Sequence, residues 1–196
     1  MHTVRLLLAV SFLTLLAPIQ ANAFDQNRKG FLVGLGGGFG QSTMKVTASE
    51  GSESISAEVN NGGLAIDFRI GGGISEKFWL YYTANSVIFD GGEFGDNTFV
   101  LGINGIGGTY FLQPQAPSAF FNGAIGAGRI FVADDTDNSE SGPAIQVGFG
   151  YEFKEGLSAA LQLMHTKLAE EDNALGSVDL ELSGTNVFAT LSWTWY

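Results

Sequence analysis

The chain has 196 residues, a formal charge of −11 and no cysteine, with 45% hydrophobic and only 15% charged residues. Without cysteine there is no disulfide framework, no thiolate metal site and no lipidated N-terminal cysteine. The acidic balance argues against a nucleic-acid partner, which clustered Lys and Arg would have to hold. The length fits one domain.

Met1 to Ala23 sets Arg5 ahead of an apolar stretch, Leu6 to Leu16, and ends on Ala21-Asn22-Ala23, an A-x-A cleavage site. The apolar core is shorter than the roughly 20 residues of a membrane-spanning helix, so a cleaved secretory signal peptide is expected over residues 1–23. Residues 24–196 would then form the mature domain, one unit more negative without Arg5, with His165 as its only histidine.

Eight amphipathic segments follow, at roughly 30–41, 63–74, 77–89, 97–111, 119–132, 143–154, 156–168 and 184–196. Connectors after the second, fourth and sixth are short (Ser75-Glu76, the run from Gln113 to Pro117, and Glu155). Those after the first, third, fifth and seventh are longer and polar, at 42–62, 90–96, 133–142 and 169–183. The first segment sets Phe31, Val33, Leu35 and Phe39 against Gly34, Gly36, Gly38 and Gly40. The second sets Leu64, Ile66, Phe68 and Ile70 against Asp67, Arg69 and Gly71. The sixth opposes Ile145, Val147, Phe149, Tyr151 and Phe153 to Gln146, Gly148, Gly150 and Glu152, and the last opposes Leu191, Trp193 and Trp195 to Thr190, Ser192 and Thr194. Parity breaks in the fourth near Asn104-Gly105. Arg129 falls on the apolar face of the fifth, which calls for a bulge near Gly126 or Gly128 or for snorkelling to the rim.

A water-soluble barrel would turn its apolar face inward and show a charged face to solvent. Here the second face is Gly, Ala and small polar groups, a poor solvated surface and a good filling for a narrow lumen. Aromatics gather at two levels: Phe31, Phe78, Tyr110, Phe121, Phe153, Trp193 and Trp195 near one rim, and Phe39, Phe89, Phe99 and Phe131 near the other. Such girdles suit the two bilayer interfaces. The expected fold is all-β, an eight-stranded antiparallel up-and-down transmembrane β-barrel with both termini in the periplasm.

From about residue 29 to Tyr196 the chain resembles the small eight-stranded outer-membrane barrel proteins of Gram-negative bacteria, the OmpX-like and OmpA-transmembrane-like class. Strand count, connector alternation and the aromatic C-terminus carry the resemblance. It implies residence in the bacterial outer membrane, contact with its lipids and lipopolysaccharide, and insertion by the barrel assembly machinery. The chain departs from the class in that Tyr196 lies opposite Trp195, Trp193 and Leu191. Either Trp195 is the assembly anchor or the strand bulges.

Asp67, Arg69, Asn104, Asn122, Gln146, Glu152 and Gln162 are expected to form an interior network of ion pairs and amides, since buried charges need partners. The same groups would line a narrow channel for small solutes, the first alternative function. Fifteen of the twenty acidic residues fall in the four long connectors, so contact with anionic lipopolysaccharide would need bridging divalent cations. The run Asp134 to Glu140 carries oxygen ligands but lacks the spacing of an EF-hand loop, and is expected to be a solvated acidic loop. No metal or cofactor is expected. The run Gly34 to Gly38 contains no G-x-G-x-x-G and precedes no helix, which argues against a phosphate loop.

His165 sits by parity on the lipid face. A lipid A deacylase family of eight-stranded barrels has its catalytic histidine in a comparable place, with a serine two residues on. Here that place holds Lys167, and Thr166 faces the other way, so the nucleophile is missing. A lipid A-modifying hydrolase using His165 is the second alternative. The expected role is not enzymatic: structural or surface-interacting, with acidic extracellular loops presented to surface ligands above a filled polar lumen.

Overall fold

The computed structural model describes residues 28–50, 53–90, 97–133, 135–172 and 178–196; the expected signal peptide lies outside them. Eight strands follow in order: β1 (Gly30–Glu50), β2 (Glu53–Ser75), β3 (Phe78–Asp90), β4 (Thr98–Phe111), β5 (Ser118–Val132), β6 (Asp135–Lys154), β7 (Leu157–Asp172) and β8 (Val178–Trp195). Each pairs antiparallel with the next, and β1 pairs with β8, so the sheet closes into a barrel. The connections after β2, β4 and β6 lie at the same end as Gly30 and Trp195, here called the inner end. The β6–β7 turn needs Gly156, whose φ of 81° is left-handed and whose Cβ position would lie 2.4 Å from the Thr194 carbonyl oxygen.

Period two sorts the side chains. Along β3, Trp79, Tyr81, Thr83, Asn85, Val87 and Phe89 are buried in the barrel, while Phe78, Leu80 and Tyr82 face out. The exterior is apolar over a band such as Val187 to Trp195 on β8, nine residues, the length of a tilted strand crossing a bilayer. Phe39 is 73% exposed and Ile125 68%. Water would penalise such a surface and lipid would not.

Four sequence expectations are corrected. The segment 42–62 is wall rather than connector: β1 and β2 pair without interruption from Gly30↔Gly73 to Glu50↔Glu53. Strand also covers 135–142 in β6 and extends through Asp172 in β7 and from Val178 in β8. The extension of β6, Asp, Thr, Asp, Asn, Ser and Glu in succession, shows no apolar alternation. Those of β1 and β2 do alternate, Met44, Val46 and Ala48 against Thr43, Lys45 and Thr47, and Ile55, Ala57 and Val59 against Ser54, Ser56 and Glu58, but without the aromatic residues of the band. The acidic groups expected on loops therefore belong largely to a wall that rises beyond the apolar band. Second, β4 and β5 pair in unbroken register from Phe99↔Val132 to Phe111↔Phe120, so no bulge turns Arg129 inward. Of the two alternatives the exterior one stands: Arg129 is exposed on the outer half of β5 and its Nη2 donates to Ser139 Oγ at 2.7 Å.

The third correction is Asn104, which faces outward. Continuous alternation through β4 directs the fully buried Ile103 into the barrel instead, and Asn104 Oδ1 accepts a hydrogen bond from the Tyr82 hydroxyl at 3.2 Å. The fourth concerns the outer girdle: Phe89 and Phe99 share the inward parity of their strands and stack on each other with centroids 6.0 Å apart. An amide hydrogen-exchange experiment on the folded protein checks the wall. Residues 42–49 and 54–61 are expected to exchange as slowly as other paired strand, and exchange at the rate of an open loop would contradict the extended hairpin.

Candidate functional site

The barrel interior is layered. Along β5 the inward residues run Phe120, Asn122, Ala124, and along β8 in the opposite sense Tyr196, then Thr194 to Thr190, then Phe188. The inner end holds an aromatic cluster of Leu32, Trp79, Tyr81, Phe111, Phe120, Ala160 and Tyr196. The outer end holds an apolar cluster that includes Val87, Leu101, Ile103, Met164 and Phe188. Polar groups occupy the middle, so the lumen is polar only in part.

In the middle layer Arg69 pairs with Asp67, its Nε lying 3.0 and 3.1 Å from the two carboxylate oxygens, and both side chains are buried. Ser192 donates to Asp67 Oδ2 at 3.0 Å from two strands away. That reach requires Gly36, which lies between them in register with both; a Cβ at 36 would fall 2.2 Å from Ser192 Oγ. The amide of Asn85 is better placed the other way round, with Nδ2 donating to Asp67 Oδ1 at 2.8 Å and Oδ1 accepting from Gln146 Nε2 at 2.9 Å. Gln146 donates on to Gln162, whose Nε2 donates to Thr190 at 3.2 Å. Asn122 joins through Gln162 Oε1 at 3.5 Å. A chain of hydrogen bonds thus crosses the lumen from β2 to β8 through β3, β6 and β7.

Glu152 belongs to a separate site at the inner mouth. Arg28, just before β1, pairs with Glu152, and the two side chains are each 1% exposed. The guanidinium also donates to the carbonyl of Gln113 and lies 3.8 Å from the centroid of the Phe111 ring. Glu152 Oε1 accepts from the Tyr196 hydroxyl at 3.0 Å and from the Gly156 amide at 3.1 Å. Trp79 Nε1 donates to the Arg28 carbonyl at 3.0 Å and packs against Phe111 and Tyr196. Inward Tyr196 is therefore a working part of this plug, and Trp195 and Trp193 stay on the exterior.

Of the sequence-derived network, the structure brings together Asp67, Arg69, Asn122, Gln146 and Gln162, sets Glu152 apart, and leaves Asn104 outside. Sequence reasoning missed Arg28, Asn85, Thr190, Ser192 and Tyr196. Asn85 and Ser192 were accessible through parity on their strands. Arg28 precedes the first strand, where no periodicity applies. Phe31, Phe78, Tyr110, Phe121, Phe153, Trp193 and Trp195 are all exposed on the exterior near the inner end. His165 is exposed on the outer half of β7, its Nδ1 3.0 Å from Thr185 Oγ1. Among the described residues no group of three or more acidic or histidine side chains could hold a metal, and Asp134, first of the acidic run, lies outside them.

No family model matches the chain, and no curated protein matches it in sequence. Solved structures match its fold. The outer membrane protein OprG from Pseudomonas aeruginosa aligns with a TM-score of 0.50 at 12% identity, over 87% of this chain and 99% of that one. The attachment invasion locus protein Ail of Yersinia pestis aligns with a TM-score of 0.47 at 12% identity, over 83% and 99%. Neisserial surface protein A gives 0.46 at 11%, over 83% and 96%. The closed, eight-stranded antiparallel architecture is thus one that the chain shares with a solved outer-membrane barrel.

Losing one member of a buried ion pair strands the other. Arg28→Met is expected to destabilise the barrel by about 3 kcal/mol, and Arg28→Met/Glu152→Met to recover most of that loss. Urea unfolding from lipid vesicles checks both, and an unaffected single variant would contradict the plug.

Proposed function

We propose that the protein is a sealed outer-membrane barrel that acts through its outer surfaces, as a structural or surface-interacting element of the envelope. The observation that carries this reading is the filled interior. An aromatic and ion-paired plug, a hydrogen-bonded middle layer and an outer, mainly apolar layer that also buries Ser42, Thr166 and Asn186 succeed one another along the axis. An eight-stranded barrel is only wide enough for side chains to fill, and here large ones do. A conducting path would have to displace Phe111, Phe120 and Tyr196 at one end and Met164 and Phe188 at the other.

The exterior offers what the interior does not. The paired β1–β2 hairpin, Lys45 to Glu50 with Glu53 to Glu58, stands beyond the apolar band as a stiff surface of mixed character, Val46 and Ile55 exposed among polar residues, on a base without sheet edges. The hydrolase alternative gains no support: His165 is bonded to a threonine, and no carboxylate among the described residues is bonded to it.

Refolded in liposomes, the mature barrel is expected to pass no ions or small sugars above the protein-free background, and Asp67→Ala/Arg69→Ala to leave flux unchanged while lowering stability. Steady wild-type flux that this double variant alters would overturn the sealed reading in favour of a channel. In cells, loss of the protein is expected to weaken the envelope barrier to detergent. An intact barrier would contradict the structural role.

A further inference from the structure

Asn104 puts an amide on the lipid face. It is exposed on β4, six residues from the girdle residue Tyr110, about 20 Å along the strand and about 14 Å in depth at the tilt of a barrel strand. That is well inside an apolar band about 25 Å tall. Ile106 on the same strand and Ile125 on β5 are both largely exposed, so the surroundings of the amide are hydrocarbon rather than water. The Tyr82 hydroxyl donates to Asn104 Oδ1 at 3.2 Å, and among the described residues the amide has no other partner. A carbonyl oxygen accepts two hydrogen bonds and an amide nitrogen donates two, so one acceptor site and both donors remain unused. Lipid chains supply no partner for them, and unmet amide groups in hydrocarbon are costly.

The surface around this amide is low. Ala84 on β3 and Ala127 on β5 stand opposite Asn104 on its two neighbouring strands, and Gly102 follows it along β4. One strand farther out on each side, Ile66 and Ile145 are exposed and stand above this floor. A second protein surface can therefore come close to the amide, as small residues allow between helices in bilayers. Depth and symmetry say which surface. Two copies in one membrane share their orientation, so a two-fold axis along the membrane normal brings Asn104 to Asn104 of the second copy at equal depth. A primary amide is self-complementary: each Nδ2 donates to the other Oδ1, which keeps its bond to Tyr82. No other partner is guaranteed an amide at that depth.

We propose that two copies of the barrel associate in the membrane through the β3–β4–β5 face, with a reciprocal Asn104 amide pair at its centre and Ala84, Gly102 and Ala127 allowing the close approach. This goes beyond the sealed-barrel reading and does not rest on it. The small residues alone would not choose a partner; the amide does.

Energy transfer between barrels in vesicles tests it. The mature protein carries one dye at Gln115→Cys, exposed on the turn between β4 and β5, and donor-labelled and acceptor-labelled barrels are mixed at a series of protein-to-lipid ratios. Transfer in this parent protein is expected to exceed that of randomly placed barrels and to titrate as a dimer. Asn104→Leu, a substitution that suits lipid, should weaken association about tenfold through loss of the two reciprocal hydrogen bonds. Ala127→Phe keeps the amide but holds the surfaces apart, and should weaken association at least as much. Ala159→Phe, on the lipid face of β7, should leave it unchanged, and the heat-dependent gel shift of a folded barrel certifies each variant. Random transfer in the parent protein, undiminished association of folded Asn104→Leu or Ala127→Phe, or an equal loss with Ala159→Phe would overturn the proposal.

Discussion

A strand that crosses a bilayer has no water to pair its N–H and C=O groups, so each must find a partner on a neighbouring strand. In this chain the requirement is met at the last possible place, the pairing of β1 with β8 from Val33↔Trp195 to Glu50↔Val178. Closure with eight strands fixes the bore, and the bore fixes what the inward positions can hold. The glycines of β1 follow from that limit. Gly36 lets Ser192 reach Asp67 across the strand between them, which is how a buried carboxylate obtains the donors its burial demands.

The interior solves the problem of buried charge twice, by different means. Asp67 and Arg69 lie two residues apart on one strand and recruit Ser192, and the reoriented Asn85 amide links them to the glutamines. Arg28 and Glu152 come from distant parts of the sequence and tie the residue before the first strand to the β6–β7 turn and the C-terminal Tyr196. The first arrangement braces the middle of the barrel, and the second joins its two chain ends at the inner mouth. Both spend the lumen on stability, which is why the account places function on the surface.

How much of this was legible in the sequence depended on contrast between faces. Strands such as β6 and β8 put large apolar residues against Gly, Gln and Thr, so their existence, their facing and the buried positions of Gln146 and Glu152 could be read directly. In the upper halves of β1 and β2 the alternation persists, Met44, Val46 and Ala48 against Thr43, Lys45 and Thr47, with Ile55, Ala57 and Val59 opposite them on β2. It carries no aromatic residue there, and the segment was read as a connector. Contrast weakened in β4, where Gly102, Gly105 and Gly107 left too few side chains to show that Ile103, and not Asn104, points inward. Phe89 and Phe99 have the residue type of a girdle but the parity of a core, and parity prevailed. Arg28 left no trace, because its partner is 124 residues away. The fold shared with solved outer-membrane barrels was thus largely written in alternation, while the plug was not.

The assignment of faces, lipid outside and a dry filling inside, supports every other step, and the absence of cysteine makes it directly measurable. Val147→Cys and Gln146→Cys place a single reporter on adjacent residues of β6, one exposed and one 4% exposed. Spin-labelled or fluorescent derivatives in vesicles would be challenged with a lipid-soluble and a water-soluble quencher. The account predicts that the residue 147 probe responds to the lipid-soluble quencher and that the residue 146 probe responds to neither in a barrel that remains folded. Strong quenching at 146 by the water-soluble reagent would show a wet lumen, and lipid quenching at 146 would reverse the faces. Either result would contradict the account.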